Sequence, residues 1–339
     1  MDDQKHKSAD PSKFVPNIFT YATSELSQDA FILWLLDWAN PQNEKFDKAL
    51  CNTAQNFVRL LLNNSELKIN TVKCKKQENH IDVFAIINEK IALIIEDKTD
   101  TSEHGDQIRR YYEWVNKEKK YSDLDIHCVY YKTGNESALK LKRLANKYDE
   151  EFKSEHFSII TRKKVLELFS HCSTQNAIFT NYVAHIQKIQ DETDAYMKAP
   201  IIKWNWLAWQ GFYMKLGEEL KTGDWGYVAN PSGGFWGFWW YWRKTKDPDI
   251  EVYLQFEQNK LCVKGCHKGN GKVEIKYSNK VIRAAKDRQL PLDDISRRTG
   301  KTMTLAIVKL QNFDYLNMSD LIRQLRHLES FLDVISKEL

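Results

Sequence analysis

The sequence predicts an α/β domain with a central mixed β-sheet flanked by helices, followed by an α+β domain with an antiparallel sheet. Between residues 24 and 160 the pattern includes helix, three strands, helix and strand, the order of a mixed α/β sandwich. Two β-branched apolar runs, 81–87 and 91–95, are joined by a short turn and predict a hairpin. Eight of the eleven tryptophans lie at Trp204 or later, so the composition changes sharply in the second half.

Length and composition predict a soluble globular chain with room for two domains. Of its 339 residues, 42% are hydrophobic and 28% are charged, which excludes a disordered protein. The net charge of +4 permits a nucleic-acid partner without requiring one. The six cysteines lack zinc-site spacing, the N-terminus is too polar for a signal peptide, and no apolar run approaches a membrane span. We therefore expect a cytoplasmic protein with reduced thiols and no membrane contact.

The first half begins with a polar arm, residues 1–16, and a helix that Ser24 or Ser27 caps. Asn40 and Pro41 end that helix, and the next helix carries apolar residues at helical spacing. The expected helices are residues 24–39, 44–62, 106–117, 137–147, 163–169 and 175–191. The expected strands are residues 67–75, 81–87, 91–95, 124–131 and 157–160.

A polar stretch that ends in Pro200, residues 191–200, lies in a boundary region at residues 191–203 and predicts two domains, 1–192 and 204–339. The role of the second domain stays open between recognition and the sensing of a protein partner. Its expected helices are residues 204–220, 281–288 and 319–339, and its expected strands are residues 226–228, 235–243, 251–257, 260–266, 272–275 and 303–310. The last helix should pack through one apolar stripe, formed by Leu321, Leu325, Leu328, Leu332 and Ile335.

The hairpin ends in three charged residues, Glu96, Asp97 and Lys98, directly after an apolar run. Successive side chains on a strand point to opposite faces, so Glu96 and Lys98 share one face and Asp97 lies on the other. Asp82 on the neighbouring strand could end beside Glu96. Unpaired charge beside a core is costly, and a divalent cation with a phosphate would supply the missing partner. Two carboxylates suit Mg²⁺ or Mn²⁺, and Lys98 could orient a water or stabilise the transition state.

Three further residues could complete this site. Glu25 stands at the start of the first helix and could add a carboxylate from the side. Gln107 and Tyr111 are four residues apart on one helix face, where they could hold a phosphate or the lysine. Each residue also has an ordinary interpretation, as a surface charge, a charge favoured by the helix dipole or a core aromatic. Their combination favours the site interpretation.

Together these residues resemble the PD-(D/E)xK nuclease superfamily. Asp82 resembles its first acidic residue, Glu96-Asp97-Lys98 resembles its (D/E)xK element, and Gln107-x-x-x-Tyr111 is similar to a motif of RecB-like and λ-exonuclease-like members. The likeness covers roughly residues 24–160. It implies a restriction-endonuclease-like core, dependence on Mg²⁺ (or Mn²⁺) and hydrolysis of phosphodiester bonds.

The resemblance also implies roles for individual residues. Asp82, Glu96 and the helix-borne Glu25 would be metal ligands, and Lys98 would be the catalytic lysine. His80 and Ile81 precede Asp82 where the name-giving proline would stand. RecB-like members often carry a metal-binding histidine near the first helix, whereas this helix starts with Gln28 and Asp29.

Basic residues are the candidate contacts to a nucleic-acid backbone. The candidates are Arg109, Arg110, Arg243, Lys244, Lys268 and Lys272. The aromatic run at residues 233–243 could offer rings on which bases stack. The alternative, which we favour for most of its tryptophans, is a strand that packs into a core.

Two hypotheses of different classes remain. The first is a metal-dependent nuclease acting on DNA, with a role in prokaryotic defence against phage or foreign DNA as a family-level expectation. The second is a non-catalytic nucleic-acid-binding or assembly protein built on the same fold. The intact set of Asp82, Glu96 and Lys98 favours the nuclease, because a binding platform has no use for it. A nuclease acting on RNA, a homo-oligomer and a protein partner of the second domain stay open.

Overall fold

A computed structural model of the chain describes residues 16–76, 78–103, 105–152, 156–230, 233–293, 299–309 and 317–339. The predicted polar arm lies outside the described residues except for Pro16. The chain divides into two compact units. The first comprises Met1–Gly134 and Lys147–Gln190, and the second comprises Asn135–Asn146 and Asp191–Leu339, each within its described residues.

The first part of the chain forms a mixed sheet flanked by helices, as predicted. Its described helices are α1 (Glu25–Trp38), α2 (Lys48–Leu61), α3 (Gln107–Lys117), α4 (Ala138–Phe152), α5 (Arg162–Phe169) and α6 (Ala177–Thr193). Its strands are β1 (Val72–Lys76), β2 (Val83–Ile87), β3 (Ile91–Lys98), β4 (Asp125–Lys132) and β5 (Phe157–Thr161). The strand order follows the sequence. The β1–β2 and β2–β3 pairs are antiparallel, and the β3–β4 and β4–β5 pairs are parallel.

The predicted hairpin is present as β2 and β3. Asn88 and Glu89 turn the chain with positive φ angles of 53° and 57°, a conformation that asparagine tolerates well. The Asn88 side chain accepts hydrogen bonds from the backbone of Asn70 and Thr71. Those two residues therefore belong to the turn network, and β1 begins later than the predicted strand at residues 67–75.

The two faces of β3 have different neighbours. Leu93 and Ile95 pack into a core with residues of α1 and α2. Helix α3 packs against β3 and β4. Because side chains alternate along a strand, Glu96 and Lys98 lie on the face opposite to Ile95, and Asp97 lies on the α1 face.

The second unit contains an all-antiparallel sheet of six described strands, as predicted. Its helices are α7 (Trp206–Leu220), α8 (Ile275–Asp287) and α9 (Met318–Ser336), and its strands are β6 (Asp224–Val228), β7 (Phe235–Lys244), β8 (Ile250–Glu257), β9 (Lys260–His267), β10 (Leu292–Asp293) and β11 (Thr302–Val308). The strand order is β10-β11-β9-β8-β7-β6. The predicted apolar stripe of α9 is confirmed, since all five of its residues are buried in the core of this unit.

One predicted strand is wrong. Residues 272–275 do not form a strand, because Ile275 begins α8 and Glu274 is its N-cap. The alternation of Val273 and Ile275 imitates a strand, but the apolar stripe of α8 extends back from Val281 to Tyr277. The short strand β10 was not predicted. The predicted end of the last strand, Leu310, lies outside the described residues.

The boundary between the units differs from the simple division at residues 192–204. Asn135–Asn146 groups with the second unit. There the Asn135 side-chain amide donates to Gln210 Oε1 at 2.9 Å and to Thr193 Oγ1 at 3.1 Å. No described helix is long and apolar enough to cross a membrane. All six cysteines are free thiols.

Candidate active site

Three charged side chains meet where β2 begins and β3 ends. Asp82 directly precedes β2, and the pairing of Val83 with Ile95 places it opposite Glu96. The Asp97 backbone N–H donates to Asp82 Oδ2 at 3.1 Å, which ties this carboxylate to the end of β3. Lys98 Nζ lies 3.9 Å from Asp82 Oδ2 and contacts Glu96 Oε1. The structure thus brings Asp82, Glu96 and Lys98 together on one side of the sheet.

Glu96 is a fully buried carboxylate in an incomplete environment. Neither of its oxygens has a hydrogen-bond partner among the described residues, and the Lys98 contact to Oε1 lacks hydrogen-bond geometry. Burial raises the pKa of Glu96 to about 8, the Asp82 charge acts in the same direction, and Lys98 opposes the rise. A carboxyl whose charged form is so poorly satisfied leaves room for a further cation.

Glu25 approaches the same place from the first turn of α1. Its Oε1 accepts hydrogen bonds from the Thr99 backbone N–H and from Thr101 Oγ1, each at 3.0 Å. Its Oε2 lies 4.0 Å from Lys98 Nζ. One oxygen of Glu25 therefore fixes the segment that follows β3, and the other faces the lysine.

Helix α3 contributes Gln107 and Tyr111. Tyr111 is buried, and burial raises the pKa of its hydroxyl. The negative charges of Glu96 and Asp82 raise it further, which is consistent with a hydroxyl close to these carboxylates. The Gln107 amide lies beside Tyr111 and opposes that rise, and Gln107 Oε1 is buried without a hydrogen-bond partner. The predicted pair thus lies at the site.

A second polar group lies on the α1 face of β3 and was not predicted. Gln28 Nε2 donates to Asp97 Oδ1 at 2.5 Å, and Gln28 Oε1 accepts from Thr133 Oγ1 at 2.8 Å and from the Tyr182 hydroxyl at 3.0 Å. Asp29, also in α1, is buried beside this network. The spacing of Glu25, Gln28 and Asp29 was the sequence signal that could have marked a polar face on this helix, but it does not identify the partners of that face.

Asp29 and Asp97 form a coupled pair of buried carboxyls. Burial raises the pKa of Asp29 to about 7, and the charge of Asp82 acts in the same direction. Burial likewise raises the pKa of Asp97 well above its usual range, and the charge of Asp29 raises it further. The site therefore contains more carboxyl groups than cationic groups.

The six candidate phosphate contacts are divided between the two units. Arg109 and Arg110 lie on α3 in the first unit, and the other four lie in the second unit. Three of the six already have acidic partners: Arg109 with Glu151, Arg243 with Asp333, and Lys268 with Glu251. Arg110, Lys244 and Lys272 are exposed.

A model of the family described as the PD-(D/E)XK nuclease superfamily matches residues 16–198, more than half of the chain. The chain belongs to the PD-(D/E)XK nuclease superfamily. The predicted family and fold class are confirmed, and membership in this superfamily suggests a nuclease. The match contains the whole group around Lys98 and ends before Trp204, so it leaves the six-stranded sheet unassigned. Searches of the curated proteins and of the solved structures gave no match.

PD-(D/E)XK nucleases typically use divalent metal ions. Within the described residues, no group of three or more His, Cys, Asp or Glu side chains is arranged around a common metal position. The ammonium of Lys98 lies among the carboxylates instead. These residues nevertheless suit a hard cation. The atoms that could bind it are carboxylate oxygens, and both oxygens of Glu96 lack hydrogen bonds.

Proposed function

We propose that this PD-(D/E)XK protein is a metal-dependent nuclease that hydrolyses phosphodiester bonds of DNA around Asp82, Glu96 and Lys98. The observation that carries the proposal is the environment of Glu96. Glu96 is fully buried and shares the ammonium of Lys98 with Asp82 and Glu25. Burying more carboxylates than cations costs folding free energy, which a bound cation would offset.

Asp82, Glu96 and Glu25 would hold the cation, Mg²⁺ or Mn²⁺. Such a cation lowers the pKa of a bound water and neutralises charge on the phosphate. Asp82 is already oriented by the Asp97 backbone N–H, and Glu25 by Thr99 and Thr101. The carboxylates are therefore held in place by the fold before any ligand arrives.

Lys98 would act on the reacting phosphate as a fixed positive charge. Burial lowers its pKa, but Glu96, Asp82 and Glu25 outweigh burial and raise the pKa above its ordinary value. This direction favours a role for Lys98 as a positive charge over a role as a general base. It donates to the Asp97 carbonyl oxygen at 3.1 Å, which leaves other N–H donors to orient a water or to stabilise charge in the transition state.

Other residues would bind the substrate around this centre. Gln107 and Tyr111 would hold a phosphate or position Lys98 from α3. Arg110, exposed on the same helix, would contact the nucleic-acid backbone, with Arg109 beside it. Lys244 and Lys272 would do so in the second unit, whose role would be recognition.

A cytoplasmic location and a part in defence against foreign DNA complete the proposal, and the six free thiols support a reducing compartment.

The test is a cleavage assay of the purified full-length protein on linear, circular and single-stranded DNA and on RNA, in Mg²⁺, Mn²⁺ or EDTA. We expect DNA cleavage that EDTA abolishes and that Glu96→Gln removes. The matched control is Glu89→Gln, because Glu89 lies at the exposed turn of the same hairpin. Cleavage of RNA alone would replace the DNA assignment, and binding without any cleavage would establish the binding platform instead.

A further inference from the structure

Strand β7 contains a bulge at Tyr241. The pairing of β7 with β8 shifts register between Trp240 and Arg243. Within the bulge Tyr241 has a φ of 60°, which is an uncommon conformation for a bulky residue. Bulges of this kind re-aim side chains, and strained backbone of this kind often accompanies function.

The bulge turns two side chains toward α9. The Tyr241 hydroxyl donates to Asp333 Oδ2 at 2.8 Å, and Arg243 Nε donates to Asp333 Oδ1 at 2.5 Å. The Arg243 guanidinium lies 3.6 Å from the centre of the Tyr241 ring. Arg243, which the sequence suggested as a phosphate contact, is therefore held by α9, and its role is to fix the bulge.

Trp242 lies on the opposite side of the sheet from Phe238 and Trp240. Phe238 and Trp240 are buried in the core with the helices, and Trp240 donates to Glu329 of α9. Trp242 instead stacks on Tyr253 of β8, with ring centres 3.8 Å apart and ring planes 14° apart, and is 42% exposed. Tyr253 covers one face of the indole, and the exposed part of Trp242 is accessible to a further flat ring.

Exposed lysines lie next to this stacked pair. Lys244 is two residues beyond Trp242 on the same strand, about 7 Å away along the chain. Backbone hydrogen bonds from Lys268 to Asp249, from His267 to Lys301 and from Val273 to Gly300 bring three loops together at this end of the sheet. Residues 244–251, 268–274 and 299–301, which form these loops and their edges, carry five lysines, Lys244, Lys246, Lys268, Lys272 and Lys301, against four acids, Asp247, Asp249, Glu251 and Glu274.

We propose that the Trp242–Tyr253 pair and these lysines form a binding site for single-stranded nucleic acid, with an unpaired base stacked on Trp242 and its phosphate on Lys244. The proposal deepens the proposed function, because it names the form of substrate that the second unit takes. An exposed aromatic face beside a row of cations is the arrangement with which proteins bind single strands in a sequence-tolerant way. The exposed side chains of Lys244, Lys246, Lys272 and Lys301 favour this occupant over an apolar peptide.

The test measures binding of a short fluorescent oligothymidylate to the full-length protein by anisotropy, in EDTA so that nothing is cleaved. We expect Trp242→Ala to weaken binding roughly ten- to hundred-fold, and Trp242→Phe to keep most of the affinity. Trp206→Ala is the matched control, since Trp206 is 48% exposed elsewhere in the same unit and should not change binding. Lys244→Ala should lower the affinity and reduce the salt dependence by about 0.7 in the log–log slope.

Wild-type affinity in Trp242→Ala would overturn the proposal, as would binding of duplex DNA with the same dependence on Trp242. If Trp242→Ala lowers the Tm, the Lys244→Ala and Trp242→Phe variants test the proposal instead. A smaller salt dependence of the affinity in Lys244→Ala and a retained affinity in Trp242→Phe are not general consequences of unfolding. Binding through Trp242 without cleavage in Mg²⁺ would count against the nuclease alone. Cleavage in Mg²⁺ with unchanged binding by Trp242→Ala would count against this site alone.

Discussion

Gln28 of α1 and Asp97 of β3 are joined by a buried side-chain hydrogen bond of 2.5 Å. The other end of the Gln28 amide accepts hydrogen bonds from Thr133 and Tyr182. Asp97 lies between Glu96 and Lys98 in the chain. The side-chain amide of Gln28 therefore fixes the segment of β3 that carries both residues. Asp97 thus connects the strand that carries the candidate site to the helix behind it.

We predict that Gln28→Leu lowers both stability and cleavage. It leaves buried polar groups on Asp97, Thr133 and Tyr182 without partners, which costs about 1–3 kcal/mol for each unsatisfied group. Urea unfolding and the cleavage rate per folded molecule measure the two effects. Gln210→Leu is the control, because Gln210 is a buried glutamine of the second unit. It should lose stability without losing cleavage, and equal losses of cleavage in both variants would contradict the role of Gln28.

The raised pKa of Glu96 predicts a pH dependence of the metal-free protein. Between its ordinary value of 4.5 and about 8, the folded protein keeps a proton on Glu96 that the unfolded chain releases. The stability that this proton supplies is complete below 4.5 and is lost as the pH rises toward 8. In EDTA, the Tm should decrease as the pH rises from 4.5 to about 8. In Glu96→Gln the Tm should depend less on pH over the same range. An unchanged slope in Glu96→Gln would show that Glu96 is ionised in the folded protein.

A side chain at position 134 should disturb the candidate site by a steric clash. A Cβ atom at Gly134 would lie 1.8 Å from the carbonyl oxygen of Thr99, whose backbone N–H binds Glu25. That same carbonyl accepts a hydrogen bond from Lys132 at 2.6 Å, so it cannot move freely. Gly134→Ala should therefore destabilise by about 1–3 kcal/mol and displace the segment after Lys98, lowering cleavage.

The control for that change is Gly217→Ala in α7, where a Cβ meets its nearest neighbour at an ordinary 3.6 Å. Alanine favours a helix interior over glycine, so this variant should keep or gain stability and keep its cleavage rate. Thermal melts with parallel cleavage assays test both. A Gly134→Ala protein with wild-type Tm and rate would show that the Thr99 segment is not held as tightly as its contacts indicate.

The local part of the site was predictable from the sequence, because strand alternation determines which side chains share a face. That rule places Glu96 and Lys98 together and Asp97 opposite, as the structure shows. The roles of these residues stay a proposal. Contacts between distant segments were not predictable: nothing local indicates that Gln28 binds Asp97 or that Asn135 belongs with Gln210.

The second unit shows the same limit. Strict alternation along β7 would place Trp242 on the same face as Trp240, in the core. The bulge at Tyr241 reverses this, and it depends on Asp333, which is distant in sequence. The wrong strand at residues 272–275 has a similar cause, because four alternating residues do not distinguish a short strand from the start of a helix.

In the proposed mechanism Lys98 acts on the reacting phosphate while the carboxylates hold the cation. The most direct test is the single-turnover cleavage rate of Lys98→Ala in Mg²⁺, on a substrate that the wild-type protein cuts. Metal binding and Tm are measured on the same sample, with Lys90→Ala at the exposed hairpin turn as the control. We predict a rate loss on the order of a hundred- to a thousand-fold per folded molecule, with metal binding retained. Cleavage by Lys98→Ala at the wild-type rate would contradict the account.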